Sequence, residues 1–188
     1  MRLFIALPLP GEIEEHLGKA IFALKQKKGK VKWVAPKNIH LTVKFLGEVE
    51  EDKLGEITSR LDNIAQNNEA IHSMVHNVGA FPNLFHPKVI WAGLEGDTDR
   101  MEKIAVEIEE AMAPLGFERE ERRFKPHLTL GRIKDSRGME EMTEYIGTFR
   151  MTPAPVYLDR IVLFKSTLTP KGPIYERLYE ATLANGAA

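Results

Sequence analysis

The feature that most constrains this chain is that it repeats itself. Sliding the 188 residues along themselves brings His40-Leu-Thr-Val onto His127-Leu-Thr-Leu at an offset of 87, which is 127 minus 40. The same offset lays Leu3-Phe-Ile-Ala-Leu on Ile90-Trp-Ala-Gly-Leu, and sets Leu17 on Ile104 and Ile21 on Ile108. Two copies of one pattern in a chain this short imply two like units around a shared core. Apolar spacing predicts helices over 11–28, with Ile13, Leu17, Ile21 and Leu24 on one face, and over 97–114, with Met101, Ile104, Ile108 and Met112. Asp97 is the expected N-cap of the latter, with Glu102, Glu107 and Glu109 on its outer side. Shorter helices are expected over 52–67 and 139–146, and strands over 71–78, 157–165 and 174–182. Each half then reads strand, helix, His-x-Thr strand, helix, strand. The expected fold class is α/β (α+β), two-lobed, with pseudo-twofold halves about 1–82 and 83–188 that exchange strands across a central cleft.

Chemistry is confined to what the side chains allow. There is no cysteine, so disulfides, thiolate nucleophiles and thiolate metal sites are excluded. The opening MRLFIALPLP is too short for a membrane span and lacks a small-residue cleavage site, so it reads as a buried strand and the protein is expected to be cytoplasmic. A net charge of −1 gives no global field, yet eight lysines between Lys19 and Lys44 stand without one Asp or Glu. Such a run either forms a solvated face or concentrates a polyanion near the first histidine.

In a strand, residues i and i+2 share a face. His40 with Thr42, and His127 with Thr129, therefore project together, while Leu41, Val43, Leu128 and Leu130 are expected behind them in the core. Across a twofold axis, two imidazoles and two hydroxyls would surround a phosphate. Imidazole titrates near neutrality, so one ring can take a proton while the other gives one, and threonine hydroxyls can donate to non-bridging oxygens. No metal or cofactor is required. A lone histidine of this kind is more often a packed strand residue; two at equivalent repeat positions point to a joint task. Arg132 can reach the same phosphate if the strand bulges at Gly131. Trp33 and Phe45 are candidates to stack on a base, against a packing role, and Lys165-Ser166 is a fainter phosphate candidate. His16, His72, His76 and His86 read as surface, sheet or turn residues.

Four stretches, Arg2-Leu-Phe-Ile-Ala-Leu, Asn38-Ile-His-Leu-Thr-Val-Lys-Phe-Leu-Gly, Lys125-Pro-His-Leu-Thr-Leu-Gly-Arg and Gly172-Pro-Ile-Tyr-Glu-Arg-Leu, resemble the 2H phosphoesterase superfamily. The likeness is to its RNA 2′,3′-cyclic phosphodiesterase branch, also called 2′-5′ RNA ligases. The resemblance implies a site between two lobes, with Thr42 and Thr129 on the phosphate, His40 as proton donor and His127 as proton acceptor. The motifs themselves do not distinguish the two rings. Gly131 stands where the family leads one to expect a small residue such as Ala. The implied reaction is hydrolysis of a terminal 2′,3′-cyclic phosphate to a 2′-phosphomonoester. With an RNA 5′-hydroxyl in place of water, weak 2′-5′ ligation would follow. The implied partner is RNA with such an end, tRNA fragments included, met by a monomer without metal, cofactor or membrane. Rival readings are a phosphodiesterase of small cyclic nucleotides, a non-catalytic RNA-end binding protein, and a metal-dependent hydrolase. The last is disfavoured by the few acidic residues beside the two motifs in the sequence.

Overall fold

Arg2–Pro8 forms strand β1, and apart from Arg2 it is buried along its whole length. Leu3, Ile5 and Leu7 enter the main core, while Phe4 and Ala6, pointing the other way, join a smaller apolar cluster with Val162 and Phe164. This two-sided burial explains a nearly continuous apolar run where a half-exposed strand would alternate. The computed structural model describes residues 1–186. After β1 come α1 (Gly11–Lys25), β2 (Lys30–Trp33), β3 (His40–Glu48), α2 (Leu54–Gln66), β4 (Ile71–Phe81) and β5 (Val89–Glu95). Then follow α3 (Thr98–Met112), β6 (His127–Asp135), α4 (Glu140–Thr148), β7 (Ala154–Leu158), β8 (Arg160–Thr169) and β9 (Gly172–Thr182). The repeat is kept to the residue: both ends of β1, α1 and β3 recur 87 positions later as β5, α3 and β6.

Two antiparallel sheets result, in the orders β3-β1-β8-β9 and β2-β6-β5-β4-β7. Their inner strands are equivalent, β3-β1-β8 answering to β6-β5-β4, but β4 of the first half lies in the second sheet and β8 of the second half in the first. The helices cross as well. α1 packs near β7 and α4, and α4 on β4, whereas α2 packs on β8 and β9, and α3 reaches α2 and β3. α1 buries the expected Ile13, Leu17, Ile21 and Leu24, joined by Ala20, and α3 the expected Met101, Ile104, Ile108 and Met112, joined by Ala105. Each large side chain buried this way stabilises the fold by roughly 1.5–3 kcal/mol. The architecture is thus the expected mixed α/β one of two duplicated lobes.

Several local expectations are corrected. β2 adds a fifth strand to the second sheet that the apolar pattern did not reveal, because only Val31 and Trp33 of its four residues are apolar. The strand expected over 157–165 is two, β7 in one sheet and β8 in the other, divided at Asp159 where the chain crosses between lobes. α1 stops at Lys25, short of Lys28, and Gly29 follows with a positive φ of 152°. Asp97 precedes α3 but does not cap it with its side chain. It sits in the left-handed region (φ 54°) and its carboxylate instead accepts the backbone N–H of His72 at 3.0 Å, tying α3 to β4. No helix among the described residues is long and apolar enough to cross a membrane.

Candidate active site

β3 at the edge of the first sheet meets β6 of the second, and between them lies a cleft of about 520 Å³. His40, Thr42, His127 and Thr129 all line it. Both strands carry a bulge at the same place. Against β1, Thr42 pairs with Ala6 and Lys44 with Ile5, leaving Val43 extra; against β5, Thr129 pairs with Trp91 and Gly131 with Ile90, leaving Leu130 extra. A bulge resets the alternation, so the residue three after each threonine returns to the threonine's face. Those residues are Phe45 and Arg132, equivalent in the repeat, and both line the cleft. The expected bulge thus falls one residue before Gly131. Val43, expected in the core, is half-buried at the cleft edge for the same reason, and Lys44 takes the inward direction instead.

Lys44 shows what the bulge costs and how the fold offsets it. Its ammonium lies in the interior, 2.8 and 3.0 Å from the two carboxylate oxygens of Glu109 and 2.7 Å from the carbonyl of Glu118. Glu109 Oε2 also accepts the backbone N–H of Glu120 at 3.2 Å. A buried ammonium without such partners would be prohibitive. Glu109 therefore faces inward from α3, not outward as its helical position implies. With Glu118 and Glu120 it brings carboxylates to the cleft wall that sequence order keeps far from either histidine.

The two imidazoles stand at equivalent positions of the repeat but are housed differently. His127 Nδ1 lies 2.7 Å from the carbonyl of Lys125; a carbonyl only accepts, so Nδ1 carries the proton and Nε2 is left to exchange one. For His40 the corresponding backbone position is Asn38, which is Lys125 shifted by 87. Around His127 the nearest ring is Phe81, edge-on at 5.0 Å. His40 instead sits among Phe164, Tyr175 and Phe4, at 4.5, 5.7 and 6.2 Å between centroids. Burial in this aromatic nest, with the Arg177 charge next in importance, lowers the His40 pKa to about 4, against the opposing pull of the Asn38 backbone. Burial likewise raises the Tyr175 phenol, opposed by the charges of Arg132 and Arg2. Among the described residues the Thr42 and Thr129 hydroxyls have no protein hydrogen-bond partner, so both are available to an anion.

Trp33 does not line the cleft; it borders an adjoining groove, together with Phe45, Arg132 and Ser166, while Lys165 lines neither. The other histidines lie elsewhere. His16 Nε2 is 2.7 Å from the Thr152 carbonyl, His72 stacks near Tyr157, His76 Nε2 is 2.8 Å from Glu95, and His86 sits in an exposed turn. Sequence reasoning missed Phe4, Phe164, Tyr175 and Arg119. For Phe4 a signal existed, since it falls on Trp91 in the repeat; the β8–β9 residues reach His40 only because β8 joins the first sheet.

Two like sheets, each presenting a His-x-Thr pair to one cleft, have the arrangement of a 2H phosphoesterase. A family model described as LigT like Phosphoesterase matches residues 7–91 and 94–175, stretches that begin 87 residues apart, and the chain belongs to this LigT-like family of 2H phosphoesterases. An RNA 2′,3′-cyclic phosphodiesterase of Thermotoga maritima is 36% identical over 186 residues, covering 99% of this chain and 97% of its own. One of Methanocaldococcus jannaschii is 38% identical over 181 residues, 96% of this chain and 99% of its own. Among solved structures, TT0787 of Thermus thermophilus superposes with a TM-score of 0.78 at 28% identity, covering 97% of this chain and 98% of that one. E. coli LigT complexed with 3′-AMP has a TM-score of 0.76 at 24% identity, covering 97% of each chain, a likeness of fold.

Proposed function

We propose that this chain is an RNA 2′,3′-cyclic phosphodiesterase that hydrolyses a terminal cyclic phosphate to a 2′-phosphomonoester by two-histidine acid/base catalysis, without a metal. The observation that carries it is the convergence of His40, Thr42, His127, Thr129 and Arg132 on one cleft. The names of the Thermotoga and Methanocaldococcus relatives supply the substrate class. A water oxygen attacks phosphorus, its proton passes to His127 Nε2, the bond from phosphorus to O3′ breaks, and His40 gives O3′ a proton. Thr42, Thr129 and Arg132 hold the non-bridging oxygens as charge grows on them. An RNA 5′-hydroxyl replacing water gives weak 2′-5′ ligation.

A second reading of the proton roles is favoured by the His40 surroundings. A ring whose pKa is lowered to about 4 rests neutral at pH 7 and suits a base, whereas the donor role needs the substrate's negative charge to restore its proton. The test is incubation of an RNA oligomer ending in a 2′,3′-cyclic phosphate, with chelator present, and identification of the product. Formation of a 2′-phosphate supports the function; an intact end refutes it. A cyclic substrate with sulfur at the 3′ position, whose leaving thiolate needs no proton, then assigns the roles. It should rescue His40→Ala if His40 is the acid, and His127→Ala if the roles are reversed.

A further inference from the structure

The cleft opens on two sides that differ in charge. Toward α3 and the 117–126 loop, the walls carry Glu102, Glu109, Glu110, Glu120 and Glu121 interspersed with five Lys and Arg side chains, and the fields largely cancel. On the other side a groove of about 830 Å³ leaves the cleft between β2, the turn after it, and the β8–β9 hairpin. It shares Asn38, Phe45, Arg132 and Tyr175 with the cleft, so the two are continuous. Arg2, Lys32, Lys37, Arg132 and Lys171 line this groove, and no Asp or Glu does. None of the five forms an ion pair among the described residues. Elsewhere on the surface, cations stand beside carboxylates, as in Arg123 with Glu102 and Arg177 with Glu180.

The groove also holds large apolar side chains that the core does not claim. Phe45, Leu168 and Ile174 are 68%, 65% and 60% exposed, and all three lie along it. Unneutralised cations tracking an apolar floor are what single-stranded nucleic acid requires, the charges for its phosphates and the floor for its bases. A terminal cyclic phosphate has one strand leaving it, so one basic groove is enough. We propose that this groove holds the nucleotides 5′ of the reacting phosphate, with their phosphates against Lys32, Lys37 and Lys171 and their bases over Phe45, Leu168 and Ile174. The mixed opening opposite is then the entry for water or an incoming 5′-hydroxyl. The assignment rests on the cyclic phosphodiesterase reading and extends it from the terminal group to the strand.

The experiment compares kcat/KM for a mononucleoside 2′,3′-cyclic phosphate with that for oligoribonucleotides of two and four residues bearing the same end. The intact protein should prefer the oligomers, and the preference should weaken with salt. In Lys32→Ala, Lys37→Ala and Lys171→Ala the oligomer-to-mononucleotide ratio should fall, roughly 3-fold or more per lysine in dilute salt. Each should also flatten the salt dependence of oligomer KM by about 0.7 in the log–log slope. Lys88→Ala and Arg122→Ala, at the opposite opening, should leave that ratio where it was. An intact protein with no oligomer preference overturns the proposal, as do lysine variants with the ratio and slope of the intact protein. If neither substrate is turned over, it is the phosphodiesterase reading that fails, and the groove reading falls with it.

Discussion

At the residue scale, the two motif histidines are alike in position and unlike in surroundings. The His127 ring is tied at Nδ1 to the Lys125 carbonyl two positions earlier, while the His40 ring is enclosed by Phe164, Tyr175 and Phe4. Replacing either by Ala should lower kcat by about 10²- to 10⁴-fold while the far-ultraviolet circular dichroism stays that of the intact protein. His40 should also leave a mark on stability. Its folded pKa of about 4 lies below the ordinary value of 6.5, so below pH 6.5 the unfolded chain binds a proton that the folded one refuses. The contribution is fully present above pH 6.5 and is lost as pH falls toward about 4, the loss reaching about 2–3 kcal/mol at pH 4.5. Urea midpoints at pH 7.5 and 4.5 should therefore differ more in the intact protein than in His40→Asn. A phosphate bound in the cleft should raise the ring's pKa, which histidine proton shifts in NMR would record.

At the scale of elements, the bulges of β3 and β6 set what the motifs present. They turn Phe45 and Arg132 toward the cleft, at one repeat position, so that a cation on one side is answered by an aromatic ring on the other. That inequality gives two like strands unlike environments for a phosphate. Arg132→Ala should cut kcat/KM by about 10²-fold, the cost of one donor to the developing charge. The same bulge in β3 sends Lys44 inward to Glu109, where removing one partner strands the other. Lys44→Ala should destabilise the protein by about 3 kcal/mol in urea unfolding, and Lys44→Met with Glu109→Leu should recover most of the loss. Gly131 is required by the strand beside it. A Cβ there would lie 2.7 Å from Val31 Cγ1 and 2.9 Å from Trp33 Cε3, so Gly131→Ala should lower stability by about 1–3 kcal/mol despite the small change.

At the scale of the whole molecule, the exchange of β4 and β8 welds the lobes. Neither sheet is complete within one half of the chain; α1 packs near β7 of the sheet that β1 does not belong to, and α3 bridges β3 of one sheet and β4 of the other. Fragments 1–82 and 83–188 made separately should each be largely unfolded by circular dichroism and proteolysis, and mixing them should restore structure and the cleft together. Stable folding of either fragment alone would count against a joined core. The sequence by itself determined the local order. The stripe on α1 and α3, the two-faced apolar run of β1 and the pair of His-x-Thr strands all follow from spacing within a few residues, and the offset of 87 joined them into halves. Tertiary structure alone decided that Asp159 is a crossing point, that Val43 and Leu130 are extra residues, that Lys44 turns inward, and that Phe164 and Tyr175 enclose His40. Periodicity reports which face of an element is apolar. Which strand lies alongside, and in what register, depends on contacts between residues far apart in the chain, and these leave no periodic trace.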